Sequence, residues 1–312
     1  MVKSLHMNCS VVIPVYRGET TITALVERLA VELPKIAHSY EVILVNDSGP
    51  DFSWQRIQEL TQRFPWVIGV NLMRNYGQHN ATLCGVRLAR YEITITMDDD
   101  LQHPPEEIHL LLTRLGEGYD VVYGVPRQLP QGFWRNQVTK YTKIVLANTM
   151  GISSVRNMSA FRAFRTDLRG AFAEFRSPNT ILDVLLSWGT SRITAVVVDI
   201  RHAKNSNYNF VSLVRATLLV LTGYSTGPLR LASLVGLIMT LFGLAIFSYV
   251  LVTYFSAGSL PGFPFLASII ALFSGAQLFT LGIIGEYLAH MFDRSMGRPA
   301  YIIQETIGGG KS

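Results

Sequence analysis

The chain is 312 residues long, with 49% hydrophobic and 16% charged residues and a formal net charge of +5. So few charged residues are a poor match for an entirely soluble surface, which favours a protein that meets a membrane. The positive excess suits nucleic acid, anionic lipid or a phosphorylated substrate. No recognisable nucleic-acid-binding module accompanies it, so nucleic-acid binding is disfavoured.

Apolar runs alternate with amphipathic helical stretches from residue 10 to about residue 124, the rhythm of βαβ units in a parallel sheet. The predicted strands cover residues 10–15, 41–45, 67–72, 93–97 and 119–124. In an open α/β sheet, ligands bind beyond the carboxyl ends of the strands. The polar residues that follow these strands are therefore the first candidates for a ligand site.

Two later stretches, residues 133–150 and 210–224, carry aromatic and basic residues on an apolar helical period. For the first, a helix on the membrane surface and an ordinary core helix both fit the pattern. The second precedes a long apolar run, so we predict an interfacial amphipathic helix over residues 209–228.

Residues 231–255 and 263–285 contain no charged side chain, and each run is long enough to cross a bilayer. A short connector rich in Gly and Pro joins them, which predicts a transmembrane hairpin over residues 229–290. Arginines flank the pair on both outer sides. The positive-inside rule then places the preceding domain, the tail over residues 291–312 and both termini in the cytoplasm. The alternative is two buried helices of a large soluble core.

An acidic stretch, residues 98–107, follows the fourth predicted strand. Three consecutive carboxylates repel one another unless a positive charge lies among them. Asp98 and Asp100 can reach one ion, and Gln102 can add a neutral oxygen; such hard ligands suit Mg²⁺ or Mn²⁺. A metal there would neutralise a diphosphate leaving group. The alternative is a solvated acidic turn that caps the following helix.

Two further polar segments follow the second and third strands. Asp47 can accept hydrogen bonds from a nucleobase or a ribose, although a turn of this composition is often only a turn. Arg74 opens a segment that leads into a helix predicted to run through Ala89. Its guanidinium and the backbone amides beside it can meet phosphate. Each segment alone is weak support for a nucleotide site.

Together these segments resemble the family-2 inverting glycosyltransferases, in particular the branch that acts on polyprenyl phosphates. That branch includes dolichyl-phosphate mannose synthases, bactoprenol glucosyltransferases and the undecaprenyl-phosphate aminoarabinose transferase. The resemblance is carried by residues 10–16, 45–47, 74–79, 98–107, 161–164, the two apolar runs, 285–287 and 298–301. It implies an α/β domain of the GT-A type over residues 1–208, with a Rossmann-like, mostly parallel sheet, ahead of the hairpin. Tetrameric relatives suggest a homo-oligomer.

The resemblance also implies roles for individual residues. The nucleotide sugar would be held by Pro14, Tyr16, Glu19, Asp47, Arg74, Asp98, Asp99, Asp100 and Gln102. The metal would be held by Asp98, Asp100 and Gln102, and the acceptor phosphate by Arg162, Arg201, Lys204, Ser206 and Tyr208. The catalytic set would be Asp98, Asp100, Arg156 and Arg162.

Three positions depart from the family pattern. Relatives have Asn-Glu after the first-strand Tyr, whereas this chain has Arg17 and Gly18, with Glu19 one place later. Relatives often carry Gly-Asp before the Phe-Arg motif, and that Asp has been considered a catalytic base; here Arg156 replaces it. Asn207 replaces the lysine of a basic Gly-x-Ser-Lys-Tyr segment.

The missing carboxylate need not abolish transfer, because a phosphate monoester with a second pKa of about 6 is largely ionised at neutral pH. We expect Arg156 or Arg162 to orient the acceptor phosphate for in-line displacement with inversion. The expected reaction transfers a sugar, with UDP as the favoured carrier, to undecaprenyl phosphate at a bacterial plasma membrane. The alternative is a catalytically inactive membrane protein that binds nucleotide sugars, suggested by Arg156 and Asn207.

Overall fold

The computed structural model describes residues 7–127, 159–177, 180–199, 227–257 and 262–309. The chain divides into two compact units, Met1–Asn207 with Gly297–Ser312, and Tyr208–Met296. The predicted interfacial helix before residue 227 and the stretch over residues 133–150 lie outside the described residues.

The first unit is built on one eight-stranded sheet. Its strands are β1 Cys9–Val15, β2 Tyr40–Asn46, β3 Val67–Leu72, β4 Ile93–Thr96, β5 Val121–Pro126, β6 Arg162–Arg165, β7 Ile193–Val198 and β8 Ile303–Gly308. Their spatial order is β7-β5-β6-β4-β1-β2-β3-β8. The strands β4, β1, β2 and β3 pair in parallel, as do β5 and β7. Only β6 and β8 run antiparallel to their neighbours in the described sheet, which confirms the predicted mostly parallel architecture.

Helices cover both faces of this sheet. They are α1 Ile22–Ile36, α2 Ser53–Arg63, α3 Gln78–Leu88, α4 Ile108–Gly116 and α5 Leu182–Gly189, with 3₁₀ turns at Pro105–Glu107 and Thr166–Phe172. Successive side chains of a strand point to opposite faces. In β1, Val11 and Ile13 therefore join the core under α1, α2 and α4, whereas Val12 joins the core with α3 and α5. Burial on both faces explains why the strands are continuous apolar runs.

The predicted C-terminal tail over residues 291–312 contains a strand of the sheet. There, β8 pairs with β3 from Ile68↔Gly308 to Leu72↔Ile303 and so extends the sheet. Ala300, just before it, is buried. The side chains of β8 are mostly exposed, so its sequence carries little of the apolar signal by which strands are recognised. The first unit therefore includes a strand from beyond the apolar runs.

The second unit contains two long helices, α6 Gly227–Ala257 and α7 Phe263–Ser295. Each contains a candidate membrane span by length and composition, Gly227–Val250 with mean hydropathy 2.2 and Leu272–Ser295 with mean hydropathy 1.2. Only 6% and 0% of these windows are buried, unlike the core helices of a soluble protein. The predicted pair of apolar helices is confirmed, although α7 continues ten residues beyond the predicted end at 285.

Candidate active site

The carboxyl ends of the parallel strands β1 to β4 meet at one edge of the sheet, where two adjoining cavities open. The larger, about 280 Å³, is lined by Pro14, Val15, Tyr16, Asp47, Asn75, Gly77, Gln78, Asp98, Asp99 and Asp100. The smaller, about 140 Å³, is lined by Pro14, Gln78, His79, Thr82, Thr96, Met97, Asp98, Ser159, Ala160, Arg162 and Asp183. Pro14, Gln78 and Asp98 belong to both linings, so Asp98 stands on the wall between the cavities.

Asp47 shapes the larger cavity through the backbone. Its buried carboxylate accepts hydrogen bonds from the amides of Tyr76 (2.7 Å) and Gly77 (2.9 Å). Burial raises the pKa of Asp47, and the two amide donors oppose that rise. The carboxylate therefore ties the end of β2 to the loop that leads into α3, and it supports the wall of the larger cavity, while its predicted contact with a nucleotide stays a prediction.

The Asp47→Asn substitution is expected to loosen this loop, because an amide group can replace only one of the two acceptor oxygens. Losing a bond to a charged group costs about 1.5–3 kcal/mol, so hydrogen exchange at Tyr76 or Gly77 is expected to accelerate by about 10- to 100-fold. Exchange measured on the full-length protein by mass spectrometry checks this. Asp51→Asn is the matched control, because Asp51 bonds Ser53 and the Glu19 amide instead. Equal exchange in both variants would contradict the assigned role.

Asp98 is oriented from two sides. Its Oδ1 accepts a 2.6 Å hydrogen bond from Nε2 of Gln78, the first residue of α3, and its own amide donates to Nδ1 of His103 at 3.2 Å. Burial raises the pKa of Asp98; His103 and Arg162 oppose the rise, and the neighbouring Asp100 adds to it. A cation bound beside this carboxyl group would favour its charged form.

Asp99 connects the acidic loop to the end of β1. Its Oδ2 accepts a hydrogen bond from the amide of Tyr16 at 3.2 Å. A Cβ at Gly18 would collide with the same oxygen, so glycine permits the close approach. Burial, with repulsion from Asp100 and Asp98, raises the pKa of Asp99 to about 7. The protein around Asp99 therefore disfavours the negative charge of its carboxylate.

A divalent cation fits this chemistry, but the described residues alone do not form a complete cage for it. Asp100 accepts hydrogen bonds from the backbone and side-chain amides of Gln102, which ties two predicted ligands together. Among the described residues, no group of three His, Cys, Asp or Glu side chains is arranged to hold a metal ion. Mg²⁺ commonly takes one or two carboxylates and fills its other positions with water and substrate phosphates. The residues present therefore fit a metal shared with a diphosphate.

Arg162 is buried in an ion pair that the sequence analysis did not predict. From β6, its Nη1 bonds Oδ1 of Asp183 and its Nε donates to Oγ1 of Thr96 at 3.0 Å. Its guanidinium also lies 5.9 Å from the centre of the Tyr123 ring. Asp183 occupies the first turn of α5 and is buried. The predicted contact of Arg162 with an acceptor phosphate stays a prediction.

The remaining predicted residues lie elsewhere. Glu19 accepts a 3.3 Å hydrogen bond from the amide of Phe52 and so joins two loops, but it lines neither cavity. Arg74 is exposed, with its guanidinium 4.7 Å from the centre of the Tyr76 ring, and it lines neither cavity. Outside the described residues lie Arg156, Arg201, Lys204, Ser206 and Tyr208.

Several residues of the smaller cavity had no predicted role. Gln78 and His79 lay within a recognised segment, but no pattern showed that Gln78 bonds Asp98 or that His79 lines the same cavity. The available signal for Asp183 was a single carboxylate in the apolar run of residues 181–186, because a buried acid needs a cationic partner.

Comparison with known proteins assigns the chain to a family. The model of "Glycosyl transferase family 2" matches residues 10–170, which include β2 to β6, all of β1 except Cys9, and the carboxylates that line the larger cavity. The chain belongs to glycosyl transferase family 2. Undecaprenyl-phosphate 4-deoxy-4-formamido-L-arabinose transferase of Proteus mirabilis is 34% identical over 308 residues, covering 96% of this chain and 94% of that protein. The transferase of the same name from Pseudomonas aeruginosa is 32% identical over 306 residues, covering 96% and 90%.

Solved structures support the fold of this family 2 glycosyltransferase. Glucosyl-3-phosphoglycerate synthase from Mycobacterium tuberculosis, crystallised with Mn²⁺ and UDP-glucose, superposes with a TM-score of 0.52 at 17% identity. The match covers 69% of this chain and 77% of that chain. At this identity the likeness concerns the fold alone, which is of the predicted GT-A type.

Proposed function

We propose that this family 2 glycosyltransferase moves a sugar from a nucleoside diphosphate to undecaprenyl phosphate, with inversion at the anomeric carbon. A bond forms between a phosphate oxygen of the lipid and the anomeric carbon, while the bond from that carbon to the diphosphate breaks. The electron pair leaves with the nucleoside diphosphate. The observation that carries the proposal is the carboxylate Asp98 on the wall between two cavities, beside Asp99 and Asp100.

The donor nucleotide is assigned to the larger cavity. Tyr16 offers a half-exposed ring there, and the loop held by Asp47 supplies backbone beside it. Mg²⁺ or Mn²⁺ held by Asp98 and Asp100 would neutralise the charge that develops on the diphosphate. We propose UDP as the carrier, the nucleotide of the sugar bound in the Mycobacterium tuberculosis synthase.

The acceptor is assigned from the relatives' names and from the candidate membrane spans, which suit a lipid substrate. An ionised phosphate monoester attacks without a general base. Arg156, Arg201, Lys204, Ser206 and Tyr208 are proposed to hold its phosphate. The contact of Arg162 with this phosphate stays a prediction, and the structure shows its guanidinium paired with Asp183. A cytoplasmic catalytic domain, cytoplasmic termini and a tetramer complete the proposal.

The test uses membranes that contain the full-length chain, Mn²⁺, undecaprenyl phosphate and radiolabelled donors. The panel comprises UDP-glucose, UDP-galactose, UDP-N-acetylglucosamine, GDP-mannose, UDP-L-arabinose and UDP-linked 4-deoxy-4-formamido-L-arabinose. The expected result is label that becomes chloroform-extractable only with the acceptor lipid. Binding of these donors without any transfer would overturn the proposal and favour a nucleotide-sugar-binding protein. Membranes without the chain are the control.

A further inference from the structure

The smaller cavity has a charged wall that is nearly neutral overall. Arg162 and Asp183 lie side by side in its lining, with side chains only 4% and 11% exposed. Because each charge offsets the other, the pair attracts a phosphate much less than a free arginine would. Asp98, on the shared wall, adds negative charge. This cavity therefore suits a polar, uncharged ligand.

The position of the cavity indicates which ligand that is. It adjoins the larger cavity at Pro14, Gln78 and Asp98, beside the carboxylates assigned to the diphosphate. The group that a diphosphate carries next to its leaving oxygen is the sugar. A sugar presents several hydroxyl groups, and a buried carboxylate is a strong acceptor for them.

Asp183 has the capacity to serve as that acceptor. A carboxylate offers about four lone-pair sites. The hydrogen bond from Arg162 goes to Oδ1, and Asp183 still lines the cavity. The rest of the lining includes hydroxyl, amide and imidazole groups at Thr82, Gln78 and His79, which complement hydroxyls.

We propose that Asp183 is a specificity-determining residue that accepts hydrogen bonds from hydroxyl groups of the donor sugar. The inference rests on the proposed function and names the residue that discriminates between donor sugars. In this arrangement Arg162 holds the carboxylate of Asp183 in place.

The test compares Asp183→Glu and Asp183→Asn with the wild type in full-length membranes, using the best donor of the panel. Glutamate keeps the charge beside Arg162 but displaces the oxygens. Both variants are expected to lower kcat/KM for the donor by about 10- to 100-fold, because each loses a hydrogen bond between the sugar and a charged group. Inhibition by UDP alone is expected to stay within about threefold, because UDP carries no sugar.

Donor analogues that lack one hydroxyl provide the second measurement. In the wild type, the analogue without the hydroxyl group that contacts Asp183 is expected to have a lower kcat/KM than the full donor. In Asp183→Glu, removing that hydroxyl group is expected to lower kcat/KM no further, as in a double-mutant cycle. Asp120→Asn is the matched control, because Asp120 is another buried carboxylate paired with an arginine, Arg192, but it lines neither cavity. Its donor discrimination is expected to match the wild type.

Other outcomes would overturn the inference. If inhibition by UDP weakened as much as kcat/KM for the nucleotide sugar fell, the role of Asp183 would be merely structural. A higher KM for undecaprenyl phosphate with unchanged donor kinetics would assign the cavity to the acceptor. Unchanged donor discrimination in both variants would also exclude the role. A wild-type chain that transfers no sugar of the panel contradicts the proposed function itself, which separates that failure from a failure of Asp183.

Discussion

Replacing Asp98 with asparagine is expected to lower kcat/KM for sugar transfer by about 10²- to 10³-fold, the usual effect of removing one group that stabilises transition-state charge. Asparagine preserves the size of the side chain but removes the charge needed to hold a cation at the wall between the cavities. Higher concentrations of Mn²⁺ are expected to restore part of the activity. Radiolabel transfer to undecaprenyl phosphate, titrated with Mn²⁺ and abolished by EDTA, is the measurement.

The same substitution is expected to leave the folded protein as stable as the wild type at pH 7, or more stable. Burial raises the pKa of Asp98, which means that the folded state disfavours its charged form. A group with a raised folded pKa destabilises the protein as pH rises through the shifted value, and asparagine removes that charge. The melting temperature of the purified full-length chain checks this sign.

Glu106→Gln is the matched control for Asp98→Asn. Glu106 belongs to the same acidic stretch, but its carboxylate pairs with Arg28 at 2.5 Å on the surface. Surface pairs of this kind contribute about 0–1 kcal/mol, so transfer is expected to change less than twofold. Metal-dependent transfer that survives in both Asp98→Asn and Asp100→Asn would show that the assigned metal role is wrong.

The second large effect is expected for Arg162→Met, which leaves Asp183 buried without its cation. Breaking a buried ion pair by removing one partner costs about 3–5 kcal/mol. For a domain of this size, that corresponds to a fall in melting temperature of about 6–20 °C. Thermal unfolding of the full-length protein in detergent, followed by tryptophan fluorescence, is the measurement.

A double variant separates the cost of the unpaired charge from other effects of the substitution. Arg162→Met combined with Asp183→Leu removes both charges and is expected to recover most of the lost stability. Arg165→Met is the matched control, because Arg165 lies on the same strand but is half-exposed and pairs with Asp120, which Arg192 also contacts. A double variant no more stable than Arg162→Met would contradict the assignment.

The sequence by itself determined the features that depend on local patterns. Strands β1 to β5 are visible as apolar runs because each is buried on both faces. Helices α6 and α7 are visible because residues 231–255 and 263–285 contain no charged side chain over the length of a bilayer. Their parallel order brings Tyr16, Asp47 and the residues after β4 to one edge. The larger cavity was predictable for this reason.

Only the tertiary structure decided which distant side chains meet. β8 joins β3 across more than 230 residues, and β6 inserts between β4 and β5 in the opposite direction. Arg162 was recognised as part of a motif, but its pairing with Asp183 depends on how α5 packs beside β6. Register and packing between distant segments follow from burial of the whole core, and local patterns do not encode them. The smaller cavity is therefore a product of the fold.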